Sequence, residues 1–98
     1  MKPLSINVKN MTSTRSYGAI PNQFEITTAE GVYFQSYQTI IAFRPYDHVK
    51  HGAEILLDEK AWDYSRTTGK YRNAFLGESK KDTEAKIKNG QYKLVNLN

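Results

Sequence analysis

The sequence predicts an α+β fold, with a small antiparallel meander followed by two short helices and a final strand. Three observations carry that prediction. Up to Asp58, short segments alternate apolar and polar residues with the period of two that a half-buried strand requires. After Trp62 the apolar spacing lengthens to three and four, with serines placed as helix caps. Glycines at 31, 77 and 90 stand where a hairpin and two helix ends call for them. At 98 residues the chain fits one domain, 1–98, because a chain of this size buries a single modest core.

Leu4, Ile6 and Val8 alternate with Ser5 and Asn7, which predicts a first strand over 4–8. "NMTSTRSYG" is polar and reads as a loop. Pro21 suits the beginning or edge of a second strand, since it has no amide proton for a ladder, and Phe24 and Ile26 then alternate with Gln23, Glu25 and Thr27. "TTAEGVYF" predicts a hairpin through Ala29, Glu30 and Gly31, with the glycine as a left-handed residue. The run from Val32 to Arg44 exceeds one average strand and shifts phase around Ser36 to Thr39, so a bulge, turn or break is expected there, with Ile40 to Phe43 central. "RPYDHVKHG" reads as a loop and "AEILLD" as the strand that completes the meander.

With Ser65 as N-cap, a first helix places Thr67, Tyr71, Ala74 and Phe75 inward and Arg66, Lys70 and Asn73 outward. Gly69 weakens this helix by roughly 1 kcal/mol relative to alanine, and Gly77 ends it. Ser79 followed by Asp82 starts a second helix that Gly90 ends. Thr83 and Ile87 face inward on it; Lys81, Ala85 and Lys88 face out, with Glu84 spaced to pair with Lys88. "QYKLVNL" alternates again as the last strand. Trp62, Tyr71, Phe75 and Ile87 are the expected anchors of the helices on the sheet.

Apolar residues make up 39% of the chain and aromatics 12%, enough for a folded core. The absence of cysteine excludes disulfides, thiolate catalysis and cysteine-ligated zinc. No run approaches the roughly 20 apolar residues of a membrane span, and "MKPLSINVKN" has no apolar signal-peptide core, so a cytoplasmic protein is expected. His48 and His51, near Asp47 and Glu54, lack the defined ligand set of a zinc site, and solvated loop histidines are the simpler reading. Asp58, Glu59 and Asp63 sit at a strand-to-helix junction, where carboxylates act as caps more often than as an acid/base pair. "TTGKY" resembles the end of a phosphate-binding loop but lacks its first glycine and has tyrosine where serine or threonine would hold magnesium. No cofactor, metal or catalytic residue is therefore expected, and the short chain reads as an accessory protein rather than an enzyme.

Charge is the informative feature. From Tyr64 onward there are eight basic residues against three acidic ones, while residues 1–63 hold six basic and seven acidic. This asymmetry is expected of a surface that faces nucleic acid, although solvated lysine-rich helices also produce it. The candidate phosphate contacts are Arg66, Lys70, Arg72, Lys80, Lys81, Lys86 and Lys88. The alternative is docking on a host protein, for example a defence nuclease or the transcription machinery. Its anchors would be Arg15 and Tyr17 in the first loop and Arg44 and Tyr46 in the later one.

Two resemblances bear on these readings. "FLGESKKDTEAKIKNGQYKL" is similar in spacing to the second half of the helix-turn-helix of excisionase-like regulators, with Leu76, Gly77, Ser79, Ile87 and Gly90 matching. Asp82 and Thr83 depart from it, since that family has threonine and an apolar residue there, and the preceding strands are not part of it. The order "IPNQFEITT", "GVYFQSYQTIIA", "LDEKAWDYSRTTGKYRNAFLGESKKDTEAKIKNGQY" resembles small uncharacterised proteins of tailed bacteriophages, a domain-of-unknown-function family. That resemblance implies a virus-encoded protein acting in the bacterial cytoplasm and carries over no functional residues.

Overall fold

Strand pairing in sequence order builds most of the architecture. The computed structural model describes residues 6–12, 18–46 and 54–98. The strands are β1 (Asn7–Thr12), β2 (Ala19–Thr27), β3 (Gly31–Ser36), β4 (Thr39–Pro45), β5 (Ile55–Asp58) and β6 (Tyr92–Val95), with helices α1 (Arg66–Leu76) and α2 (Lys80–Lys88) between the last two strands. The sheet runs β1-β2-β3-β4-β5-β6. The first five strands form the expected antiparallel meander, and β6 joins β5 in parallel, with Ile55 opposite Tyr92 and Leu57 opposite Leu94. A parallel neighbour needs a crossover, and the helix pair supplies it. No helix among the described residues is long and apolar enough to cross a membrane.

The expected break in the long apolar run is a tight turn at Tyr37 and Gln38, and pairing between Phe34 and Gln35 also shifts register, leaving Ile41 as a buried extra residue. Pro21 precedes the point, Gln23, where β2 begins to pair with β3. The Thr28 hydroxyl accepts from the amides of Glu30 and Gly31 and so closes the β2–β3 turn. Gly31 is needed there for space rather than for a left-handed φ. A Cβ would stand 2.8 Å from Pro45 Cα and 2.9 Å from the Phe43 ring.

Two expectations about faces are corrected. Leu4 and Ser5 lie outside the described residues, and β1 runs from Asn7 on through Asn10, Met11 and Thr12, which composition assigns to a loop; Ile6 and Val8 are exposed, and Met11 reaches the core. Backbone pairing with β2 carries the strand through this polar stretch whatever its side chains, and a register shift between Asn10 and Thr12 interrupts the alternation that the sequence suggests. On α1 the buried line is Thr68, Arg72 and Phe75, while Thr67 and Ala74 are exposed. Polar side chains hold that line because each finds a partner within the fold: Thr68 Oγ1 lies 3.1 Å from Ser36 Oγ of β3, and the Arg72 guanidinium donates to the Trp62 carbonyl at 2.7 Å.

The core comprises Met11, Phe34, Ile41, Ala42, Ile55, Leu57, Ala61, Phe75 and Tyr92, with Trp62, Tyr71, Leu76 and Ile87 packed against it. Phe24, Ile26, Tyr33, Phe43 and Leu56 pair across the opposite sheet face and lie outside that cluster. Asp58 is the buried junction of β5 with the chain end. Its two oxygens accept from the amides of Lys60, Ala61 and Leu97 and from Asn98 Nδ2. Burial pushes its carboxyl up, but those four donors outweigh it and hold Asp58 below its ordinary 3.8.

Candidate nucleic-acid interface

Helix caps fix where the basic side chains start. Ser65 Oγ accepts from the Thr68 amide at 3.1 Å and sets the first turn of α1. Gly77, with φ +71, closes the helix by donating its amide to the Asn73 carbonyl. Ser79 and Asp82 then form a capping box that starts α2 only two residues beyond Gly77. The short link brings Lys80, the first residue of α2, back beside the start of α1. A groove of about 560 Å³ results, lined by Asp63, Ser65, Arg66, Gly69, Lys70, Arg72, Asn73 and Lys80.

The groove has a polar floor. Arg72 is only 1% exposed; its guanidinium donates to the Trp62 carbonyl, to Asp63 Oδ1 at 3.3 Å and to Asn73 Oδ1 at 3.0 Å, and it lies 5.3 Å from the Trp62 ring centre. Asp63 in turn takes Lys80 Nζ at 2.8 Å. The hydrogen bond from Lys80, helped by Arg72, holds the Asp63 carboxyl below its ordinary 3.8 despite partial burial. Four cations and one carboxylate therefore share the groove, a surplus of three positive charges, and Arg66 and Lys70 present theirs to solvent. A second cleft of about 480 Å³, lined by Tyr37, Tyr64, Ser65 and Thr67, adjoins the groove through Ser65.

The structure sorts the basic residues into three groups. Arg66, Lys70 and Lys80 converge on the groove. Lys81 and Lys88 are exposed on α2, seven residues apart and so on one face of it. Arg72 and Lys86 are engaged within the fold, and Lys80 is also held, its Nζ 2.8 Å from Asp63, although its side chain stays 49% exposed. Lys86 Nζ donates to Glu78 Oε1 at 2.6 Å and lies over the Tyr92 ring. The expected Glu84–Lys88 pair is not among the ion pairs of the described residues; Lys86 of α2 pairs with Glu78. The Glu78 side chain, 7% exposed, also accepts from the hydroxyls of Tyr92 at 2.7 Å and Thr83 at 2.6 Å. These groups border a pocket of about 530 Å³ with Arg44, Ile55, Leu76 and Gln91.

Protonation in this cluster follows its hydrogen bonds. Burial pushes the Glu78 carboxyl up, but Lys86, Thr83 and Tyr92 together bring it below its ordinary 4.5, and the bond to Glu78 raises Lys86. Burial, then Glu78, pushes the Tyr92 hydroxyl to about 12. Because the folded value of Glu78 is the lower one, its contribution to stability is complete above 4.5 and is lost as pH falls through the folded value. Urea midpoints of the native protein should exceed those of Glu78→Gln at neutral pH, and the gap should close at pH values below 4.5. A gap that persists unchanged in acid would show that the carboxylate charge is not what Glu78 contributes.

Of the loop anchors, Arg15 and Tyr17 lie outside the described residues, as do Asp47, His48 and His51. Arg44 is not in a loop. It belongs to β4, donates to the Phe75 carbonyl at 2.7 Å and stacks 4.5 Å above the Phe75 ring, where its charge neutralises the end of α1. The expected loop placement is therefore corrected, and its guanidinium is engaged with Phe75. Tyr46 is 54% exposed. Among the described residues no three His, Asp or Glu side chains are grouped to hold a metal. Sequence reasoning did not foresee the exposure of Tyr37 or the salt bridges of Asp63; the phase shift around Ser36 to Thr39 was the one signal near Tyr37.

A family model described as a family of unknown function (DUF8033) matches residues 6–91, most of the chain. No curated protein and no solved structure matches it.

Proposed function

The chain belongs to DUF8033, a family of unknown function, and we propose that it is a non-enzymatic accessory protein that binds the phosphate backbone of nucleic acid through the groove between α1 and α2. The observation that carries this reading is the convergence of Arg66, Lys70 and Lys80 from two helices on one groove, where Arg66 and Lys70 face solvent and Lys80 stays half exposed although it shares Asp63 with Arg72. Clustered cations attract phosphates and release condensed counterions, so binding of this kind weakens steeply as salt rises. Lys81 and Lys88 extend the positive surface along α2. The resemblance to tailed-phage proteins supports a viral origin and action in the cytoplasm of a bacterial host. The similarity of residues 75–94 to excisionase-like regulators supports the same partner class.

Fluorescence anisotropy with labelled oligonucleotides across a salt series tests the proposal. Arg66→Ala, Lys70→Ala and Lys80→Ala should each lower the slope of log affinity against log salt by about one unit. Absence of binding at low salt would end it. A host-protein inhibitor would behave differently, losing capture of its partner through single truncations such as Tyr46→Ala with little dependence on salt. Pulldown from infected cells with and without nuclease treatment separates the two.

A further inference from the structure

We propose that Tyr37 and Tyr64 form a base-stacking platform for single-stranded nucleic acid whose phosphates follow the groove of Arg66, Lys70 and Lys80. This inference rests on the phosphate-binding reading and names the form of nucleic acid that the site takes.

The two rings are 27 residues apart in sequence, and a specific contact brings them together. Ser36, the last residue of β3, meets Thr68 in the first turn of α1 through their buried hydroxyls, and Thr68 also receives the Ser65 hydroxyl at 3.2 Å. Tyr37 directly follows Ser36 and Tyr64 directly precedes Ser65, so the same contact sets both tyrosines on one cleft. Both rings are open to solvent, with Tyr37 53% exposed and Tyr64 70%. Neither ring belongs to the core or to the residues packed against it.

Tyr37 is also held in a backbone conformation that disfavours it. Its φ is +56, in the left-handed region where glycine is at ease and a bulky residue is rare. The turn is pinned from both sides, since the Tyr37 amide donates to the Asn22 carbonyl at 2.7 Å and its carbonyl accepts from Gln35 Nε2 at 2.7 Å. A ring therefore projects from a strained position where glycine would relieve the strain, and such strain tends to mark functional positions.

The surroundings decide what the rings would stack on. The tyrosine cleft and the basic groove share Ser65, and Arg66 follows directly, so exposed aromatic faces lie beside a line of cations. That combination suits unpaired nucleotides, because bases without a partner strand can leave the stack and lie on aromatic rings while their phosphates track positive charge. A duplex keeps its bases inside and offers the groove phosphates alone. Stacking is tolerant of base identity, so single-stranded DNA and RNA share the chemistry.

The test compares fluorescein-labelled oligothymidylate, oligouridylate and a DNA duplex of equal length, using the full chain. Tyr37→Gly is a suitable variant because glycine fits the left-handed turn, and Tyr64→Ala alters an exposed side chain. Each should weaken single-strand binding about 5- to 100-fold with little change in salt slope, and Tyr37→Phe and Tyr64→Phe should retain affinity. Tyr46→Ala is the control, since Tyr46 is similarly exposed but leaves the opposite end of the β3–β4 hairpin, where its amide meets the Glu30 carbonyl. If the duplex binds as tightly as the single strands, or both tyrosine variants bind like the native protein while the groove variants lower the salt slope, the platform is wrong and the phosphate groove stands. If no oligonucleotide binds at low salt, both readings fall together.

Discussion

Phe75→Ala is expected to lower the free energy of unfolding by about 3–5 kcal/mol, a large share of the stability of a domain this small. Phe75 is 4% exposed, its ring stacks on Phe34 of β3 at 5.7 Å between centres, and the Arg44 guanidinium covers it at 4.5 Å. Truncation would remove the apolar area, leave a void between α1 and the sheet, and take the ring from beneath Arg44 while leaving that cation half-buried. The bond from Arg44 to the Phe75 backbone carbonyl does not need the ring. Phe75→Leu should therefore recover part of the loss, because it refills volume without restoring the aromatic face. Urea denaturation decides between these expectations, and an unchanged midpoint for Phe75→Ala would contradict the packing of α1 described above.

Arg72→Ala is expected to lower stability by about 2–4 kcal/mol through lost packing and broken hydrogen bonds of a charged group. The guanidinium joins the Trp62 carbonyl, Asp63 and Asn73, and so fastens the turn after β5 to the middle of α1. Without it the Trp62 carbonyl loses its donor and Asp63 keeps only Lys80. The same variant separates a structural arginine from a phosphate contact. A folded Arg72→Ala protein should keep the native salt slope in oligonucleotide titrations, whereas Arg66→Ala should lower it. Loss of slope without loss of stability would return Arg72 to the binding surface.

What the sequence determined by itself is the set of features built from near neighbours. Ser65, the Ser79–Asp82 capping box, the left-handed Gly77 and the β2–β3 turn all depend on groups within a few residues of one another, so residue type and spacing define them before any tertiary contact forms. The order of strands and helices follows from hydrophobic period in the same way, apart from the polar extension of β1. Charge asymmetry is also a property of composition, and it marks the last third of the chain, where Arg66, Lys70 and Lys80 line one groove. Tertiary structure alone decided which of the basic residues are engaged within the fold, because that depends on partners far away or on another element. Arg72 is engaged by the Trp62 carbonyl, Lys86 by Glu78 and Arg44 by Phe75. It also decided the inward face of α1, since an isolated helical pattern favours apolar residues inside, whereas Thr68 is buried by a hydroxyl 32 positions away on β3. A polar side chain goes inside when the fold brings it a partner, and which partner arrives is set by the packing of the sheet against the helices.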